Sequence, residues 1–289
     1  DSIIENVSLT LNRGEIIGLI GESGAGKSTL GLAAMGFARP GCRITKGKVN
    51  FDKKNILDLT ETEKRKLRGS RISYVAQSAA ASFNPAHRLI NQTIETVLSK
   101  GNINESLAKA DAKELYQNMQ LPDSDNIGYR YPHQVSGGQL QRVMTAMALS
   151  PRPDLIIFDE PTTALDVTTQ VEVLASIRKI VEQFNTAAIY ITHDLAVVAQ
   201  MADKIKVLRY GETIEDADTR TMLSNPKERY TKSLWAVRSI EKKESISKNL
   251  ILKIKNVHAS YGNGPKVLDD VSINLPKGRT VAVVGESGS

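Results

Sequence analysis

A glycine-rich stretch with a lysine and a hydroxyl carries the clearest chemistry in the sequence. Residues 21–28 read Gly-Glu-Ser-Gly-Ala-Gly-Lys-Ser and satisfy the pattern G-x-x-x-x-G-K-S/T. The glycines let the backbone wrap tightly, so that successive N–H groups point at a polyphosphate. In this pattern Lys27 reaches the β- and γ-phosphates, and the Ser28 hydroxyl holds Mg²⁺. The stretch predicts a site for a nucleoside triphosphate and Mg²⁺.

Two acids that follow an apolar run are the second chemical feature. Residues 155–158 read Leu-Ile-Ile-Phe, as in a buried strand, and Asp159 and Glu160 come next. Carboxylates at the end of a buried strand are costly unless a cation or a reaction uses them. Asp159 suits the Mg²⁺ shell, and Glu160 suits a general base for an attacking water. The alternative is a pair of solvated acids.

Gln77 and His193 are weaker candidates, and each is predicted to lie at a strand end. Residues 71–77 are predicted as a strand that ends in Gln77, which either reaches the metal and the γ-phosphate or is a surface amide. His193 follows the predicted strand at residues 187–191. The carboxyl edge of a parallel sheet is where ligands bind, which favours a functional histidine there.

A second glycine pair lies at residues 135–139, Val-Ser-Gly-Gly-Gln, before an apolar helix pattern at 140–149. Ser136 is of the type that caps a helix, and glycines before a helix form an anion site by the same logic as the first loop. A glycine turn that caps a purely structural helix is the alternative.

The elements that must position these groups predict an α/β fold. Residues 16–20 are predicted as a strand that feeds the first loop, and the residues after Thr29 as a helix. A helical insert is expected at about 78–150. Other predicted elements are strands at 46–51, 205–210 and 212–214 and helices at 58–68, 90–98, 105–119 and 167–184.

Composition limits the classes of function. The chain has 289 residues, and its net charge of +6 is spread in both signs along the sequence, which argues against a nucleic-acid partner. Cys42 is the single cysteine, so a disulfide, an iron–sulfur cluster and a cysteine-based zinc site within the chain are excluded. No apolar run approaches the ~20 residues that span a bilayer.

The start of the chain is repeated near its end. Val271-Ser272 matches Val7-Ser8, Gly278 matches Gly14, and residues 283–288 match 19–24 without a gap. Before this second copy, residues 250–259 are predicted as a strand, with Tyr261 after it, and residues 236–249 as a linker. We expect an internal piece of a tandem protein: residues 1–235 lack their N-terminal strand and its base-stacking aromatic, and residues 250–289 are cut short.

The ordered set of motifs resembles an ABC-type ATPase domain. It consists of residues 21–28, Gln77, residues 135–139, residues 155–160, Ala164-Leu165-Asp166 and His193. Val135 stands where this family usually has leucine. The resemblance implies a P-loop NTPase (RecA-like) core with an antiparallel β subdomain and an inserted helical subdomain.

The resemblance also implies that ATP is held between two such domains. Lys27, Ser28 and Thr29 would bind phosphate and Mg²⁺, Asp159 and Gln77 would serve the metal, Glu160 would polarise water, and His193 would contact the γ-phosphate. Catalysis is thus expected from Glu160, His193, Gln77 and Lys27. The expected ATP-binding residues are Gly21, Glu22, Ser23, Gly24, Ala25, Gly26, Lys27, Ser28, Thr29, Ser136, Gly137, Gly138, Gln139 and Asp166, of which Ser136 and Gly138 act in trans.

A finer resemblance is to the ATPase subunits of bacterial oligopeptide, dipeptide and nickel importers, and the tandem layout is similar to that of glutathione and peptide importers. It is carried by Ser82-Phe-Asn-Pro85, Tyr131-Pro-His-Gln134 and residues 225–234. It implies a peripheral protein at the cytoplasmic face of the inner membrane, with permease subunits that dock near residues 78–92. The second ATPase domain, or a homodimer of the fragment, would complete the site, and a solute-binding protein would act indirectly.

Two other classes stay open from the sequence. One is a tandem ATPase without a membrane partner, such as a translation or repair factor. The other is a regulatory nucleotide-binding module that does not hydrolyse.

Overall fold

The computed structural model describes residues 2–101, 103–162, 165–236, 249–262, 264, 266–283 and 285, with the backbone alone at 167 and 168. The chain divides into two compact units, one of residues 1–165 and 169–236 and one of residues 166–168 and 237–289. The predicted linker at 236–249 lies almost wholly outside the described residues. The domain boundaries therefore stay a prediction.

The strands are β1 (Ile16–Ile20), β2 (Asn50–Phe51), β3 (Lys54–Asn55), β4 (Ile72–Val75), β5 (Leu155–Asp159), β6 (Ala187–Ile191), β7 (Lys204–Arg209), β8 (Glu212–Asp218), β9 (Leu250–Ser260) and β10 (Lys266–Pro276). The α-helices are α1 (Lys27–Ala34), α2 (Glu61–Leu67), α3 (Leu89–Ser99), α4 (Glu105–Asn118), α5 (Gly137–Leu149), α6 (Val167–Gln183), α7 (Leu195–Met201), α8 (Thr219–Ser224) and α9 (Arg229–Ala236).

A six-stranded sheet in the order β4-β5-β6-β1-β7-β8 forms the centre of the first unit. Its first five strands are parallel, and β8 is antiparallel to β7. Strands β1, β5 and β6 are buried along their whole length because apolar clusters cover both faces of the sheet. The parallel strands bring their carboxyl ends, and the residues that follow them, to one edge.

Alternation along β5 sorts its side chains between the two faces. Leu155 and Ile157 pack in the smaller cluster, together with Leu32 of α1. Ile156 and Phe158 pack in the larger cluster, which includes buried residues of α3, α4 and α5. Asp159 continues the series of Leu155 and Ile157, so its side chain is directed to the α1 side. The period of the strand therefore selects the face on which this carboxylate acts.

The helical segment expected between β4 and β5 is present as α3, α4 and α5. The predicted strand at 71–77 is shorter than expected: β4 ends at Val75, which pairs with Phe158, and Gln77 lies beyond the pairing. The antiparallel part of the first unit is small, since the described residues form only the β2–β3 hairpin and the β7–β8 pair there. The strand expected at 46–51 is reduced to β2.

No helix in the described part of the chain has both the length and the apolar composition needed to cross a membrane.

Candidate nucleotide site

The glycine-rich loop connects β1 to α1, as the sequence predicts. Gly24 and Gly26 have φ angles of 84° and 92°, a region that L side chains rarely adopt. At Gly21 a Cβ atom would lie 2.1 Å from the carbonyl oxygen of Leu208. A Cβ at Gly24 would meet nothing within 4 Å, so the loop is open on that side. The N-cap residue Gly26 has no side chain, which leaves the first amides of α1 available to an anion.

Lys27 is folded into this loop. Its Nζ donates to the carbonyl oxygens of Gly21 at 2.7 Å and Glu22 at 2.9 Å. Burial lowers the pKa of the Lys27 ammonium, and the nearby carboxylates of Glu160 and Asp159 oppose that shift. A buried cation therefore lies in the loop, close to two acids that are remote in sequence.

Asp159 and Ser28 meet directly. The Ser28 hydroxyl donates to Oδ1 of Asp159 at 2.9 Å, and Asp159 is only 4% exposed. A hydroxyl and a carboxylate are the hard oxygen donors that Mg²⁺ takes in proteins. Ser28 and Asp159, which the sequence assigned to the metal, thus offer oxygen donors that suit Mg²⁺ and lie within hydrogen-bond distance of each other.

Gln77 contacts Glu160 and not Asp159. Its Nε2 donates to Oε2 of Glu160 at 3.0 Å. Nδ1 of His193 lies 2.9 Å from Oε1 of the same carboxylate. Glu160 has a φ angle of 51°, uncommon for a residue with a side chain, and its N–H donates to the carbonyl of Ile191 at 2.9 Å. Three residues predicted from separate strand ends are therefore joined through one carboxylate.

Tyr74 is a residue of this site that the sequence analysis missed. Its hydroxyl donates to Oδ2 of Asp159 at 2.5 Å. Burial raises the pKa of the Tyr74 phenol, and the bond to Asp159 adds to this, so the hydroxyl stays protonated and donates. Ile72 and Tyr74 lie on one face of β4 and pair with Leu155 and Ile157 of β5, and Asp159 is the next residue of β5 on that face. A tyrosine inside a predicted strand reads as packing until the neighbouring strand is known.

The second glycine pair forms the start of α5. Ser136 is the N-cap, its hydroxyl accepts from the N–H of Gln139 at 3.2 Å, and Oε1 of Gln139 accepts from the N–H of Ser136 at 3.0 Å. Gly137 is exposed, and a Cβ there would meet nothing within 4 Å. In the described residues these bonds stay within the cap, and none reaches the phosphate loop.

Asp166 directly precedes α6. Thr163 and Ala164, which come before it, lie outside the described residues.

Comparison with known proteins identifies the class to which this fold and site belong. Residues 4–163 match the family described as ABC transporter, and the chain belongs to this family. It is an ATP-binding cassette with ATPase chemistry. The fold agrees: over 75% of this chain and 91% of the other, it superposes with a TM-score of 0.68 and 28% identity on the ATP-binding cassette MJ0796, whose structure is a dimer in a post-hydrolysis state bound to ADP and Pi.

Among curated relatives, the chain is similar to three transport proteins. It is 39% identical to the probable D,D-dipeptide transport ATP-binding protein DdpD of Escherichia coli (strain K12), over 79% of this chain and 70% of that protein. It is 37% identical to the oligopeptide transport ATP-binding protein OppD of Lactococcus lactis subsp. cremoris (strain SK11), over 86% and 72%. It is 32% identical to the glutathione import ATP-binding protein GsiA of Shigella dysenteriae serotype 1 (strain Sd197), over 99% and 53%.

Proposed function

We propose that the chain is the ATPase that powers uptake of peptides or similar small solutes, working at the cytoplasmic face of the bacterial inner membrane as a peripheral subunit. One observation carries the ATPase part: Lys27, Ser28, Asp159 and Glu160 converge at the carboxyl edge of the sheet. The peptide class is supported by the printed names of the relatives. Those names favour transport over an ATPase without a membrane partner.

ATP would bind with its phosphates in the loop of residues 21–29. The backbone N–H groups and the helix N-terminus favour negative charge there, and Lys27 adds a cation. The ammonium now bonds to loop carbonyls and would exchange them for phosphate oxygens when ATP enters. Ser28 and Asp159 would hold Mg²⁺, with Gln77 nearby. When bound, the metal neutralises charge that develops on the transferred phosphoryl group.

Glu160 would act as the general base for the attacking water. Gln77 and His193 hold its two oxygens, so the carboxylate has one orientation before the nucleotide arrives. His193 would contact the γ-phosphate, and Gln77 would sense it. Both residues would have to give up part of their contact with Glu160 to do so, which ties the position of the base to the presence of ATP.

Ser136 and Gly138, at the start of α5, would serve the site of a partner domain. The Ser136 cap and the open space at Gly137 support an anion site at the N-terminus of α5, and in the described residues the bonds of this cap do not reach this chain's own loop. The partner would be a second ATPase domain, to which residues 250–289 would belong after a linker at 236–249, or a second copy of the chain. The first domain would be residues 1–235.

Permease subunits would dock near residues 78–92. A cavity of about 400 Å³ supports this, because Ser78, Ala81 and Ser82 line it together with Gln77 and Asp159 of the candidate site. A partner that enters there would touch residues adjacent to Gln77. Cysteine crosslinks between 78–92 and a permease should form in an assembled transporter, and their absence would count against the docking site. A solute-binding protein would act indirectly through the permease.

Glu160→Gln tests the proposed reaction. The amide keeps the shape of the side chain but is a poor base, so ATP should still bind while hydrolysis falls by about 100-fold or more. Bound nucleotide and released phosphate are measured on the same samples. The control is Glu212→Gln, an exposed acid at the start of β8. Normal turnover in the Glu160 variant would rule out the general-base role, and a wild-type chain that binds no ATP would rule out the function itself.

A further inference from the structure

A tyrosine far along the chain contacts the phosphate loop. The N–H of Glu22 donates to the hydroxyl of Tyr230 at 3.1 Å, across 208 positions of sequence. Tyr230 lies in α9, the last helix of the first unit. None of the roles assigned above uses this residue.

The ring of Tyr230 is held in place from two directions. The guanidinium carbon of Arg209, at the end of β7, lies 4.5 Å from the ring centroid. Tyr230, Leu234 and Trp235 pack against the larger apolar cluster. These contacts position the side chain of Tyr230 independently of its hydrogen bond to the loop.

The start of α9 is itself tied to the sheet. The Glu215 carboxylate of β8 accepts from the N–H of Lys227 at 2.8 Å and from the N–H of Glu228 at 3.1 Å. Burial alone would raise the pKa of Glu215, but these two N–H donors, the Thr231 hydroxyl and the Lys227 charge together outweigh it, and the pKa is lowered. Glu215 is therefore ionised at neutral pH and holds the turn before α9 against β8.

The loop needs such an anchor for a physical reason. Gly21, Gly24 and Gly26 all have positive φ angles, and glycine loses more conformational freedom than any other residue when it is ordered. A hydrogen bond at Glu22 fixes the loop between the first two of these glycines. We propose that Tyr230 is a positioning residue for the phosphate loop, and that α9 responds to nucleotide through it. This inference rests on the proposed ATP site.

The chain carries its own reporter for this coupling. Trp235 is the single tryptophan, it lies in α9 close to Tyr230, and it is partly buried. Its indole Nε1 is buried and has no hydrogen-bond partner among the described residues. A small displacement of α9 would change the environment of this indole, so its emission reports on the helix.

Tyr230→Phe keeps the ring and removes the hydroxyl that accepts from Glu22. The Kd for ATP, measured by equilibrium dialysis with radiolabelled ATP and Mg²⁺, should rise about 5-fold, the range of one hydrogen bond. The change in Trp235 emission at saturating ATP should fall by at least half. Exchange of the Glu22 amide with solvent should become faster. The matched control is Tyr210→Phe, because Arg209 also lies 4.9 Å from that ring but Tyr210 is 79% exposed.

The outcomes separate the two proposals. A wild-type chain that binds no ATP contradicts the proposed function. Binding by the wild type with unchanged Kd and unchanged emission response in Tyr230→Phe overturns the role of Tyr230. A wild-type Trp235 emission that does not respond to bound ATP overturns the coupling to α9 even if the variant does not fold. Equal losses in Tyr210→Phe would also overturn the proposal, since they would not depend on the hydroxyl that meets Glu22.

Discussion

Strand β1 and the residues that match it in sequence differ in structure. Ile16–Ile20 are buried throughout, and β1 pairs with β6 on one side and β7 on the other. The matching residues 280–283 are in no strand. Val281 is 43% exposed and Val283 is 81% exposed. The same apolar pattern is a core strand in one place and an exposed segment in the other.

In the residues that precede these segments, the second copy forms a strand and the first does not. Val271, Ile273 and Leu275 lie in β10 and pair with β9. The matching Val7, Leu9 and Leu11 lie in no strand and line a cavity of about 1230 Å³ beside residues 43–52. A strand has half of its N–H and C=O groups on each edge, so it forms where a neighbour satisfies them. Pairing partners, more than the pattern itself, decide which part of each segment forms a strand.

Gly21→Ala against Gly285→Ala should give the largest contrast. The new Cβ at Gly21 would collide with the Leu208 carbonyl, and moving that backbone displaces the loop. We expect ATP affinity to fall roughly 100-fold, or about 2.8 kcal/mol. Gly285 is exposed, so its variant should match the wild type. Equal losses of ATP affinity at the two glycines would contradict the structural difference between the two segments.

Leu19→Ala against Val283→Ala compares two positions that match in sequence. Leu19 is 0% exposed, and its truncation should lower the free energy of unfolding by about 3 kcal/mol. Val283→Ala should change it by less than about 0.5 kcal/mol. Urea unfolding followed by Trp235 emission measures both. A large loss at Val283 would show that its segment packs in solution.

Hydrogen exchange should show both differences at once. Amides of β1 should exchange only with global opening, whereas those of 280–283 exchange freely. For the residues that precede these segments, the amides of 271–275 should exchange more slowly than those of 7–11. This second difference should be the smaller one, because a two-stranded hairpin is marginally stable. Protection of 7–11 equal to that of 271–275 would contradict the role given to the pairing partner.

Glu15, which Arg279 replaces in the matching segment, should give the smallest effect. Burial would raise the pKa of Glu15, but the Lys204 ammonium at 2.8 Å and the Asn12 N–H outweigh it, so the pKa is lowered from 4.5. A lowered folded pKa adds stability above pH 4.5 that is lost as pH falls through the folded value. Urea midpoints should therefore fall in acid for the wild type by slightly more than for Glu15→Gln. Parallel pH profiles would mean that the ion pair adds no stability.

Much of the fold followed from local patterns. The strand at 187–191 was predicted with its observed bounds, and the helices at 90–98 and 105–119 were within one residue at each end. The strand is a continuous apolar run, the two helices have apolar residues at helical spacing, and each segment ends where polar or turn residues interrupt it. The strand predicted at 46–51 is observed only at its last two residues, Asn50–Phe51, because its apolar pattern is short.

The residues of the site could be proposed from the sequence, but the contacts among them could not. Ser28, Asp159 and Gln77 were assigned to one metal, and this stays a prediction; in the structure Ser28 donates to Asp159 and Gln77 donates to Glu160. Tyr74 and Tyr230 were missed as contributors, since nothing in their local sequence distinguishes a packed tyrosine from one that hydrogen-bonds a functional group.

The phosphate loop can be read from residue order alone, because glycine spacing, a lysine and a hydroxyl act within one short stretch and need no remote partner. The same is true of Asp159 and Glu160 at the carboxyl end of a buried strand. The groups that hold those acids, and the copy of the repeated pattern that becomes a core strand, are set only when the chain folds. Those outcomes depend on the neighbours that the sheet order supplies, and strand order is a property of the whole chain.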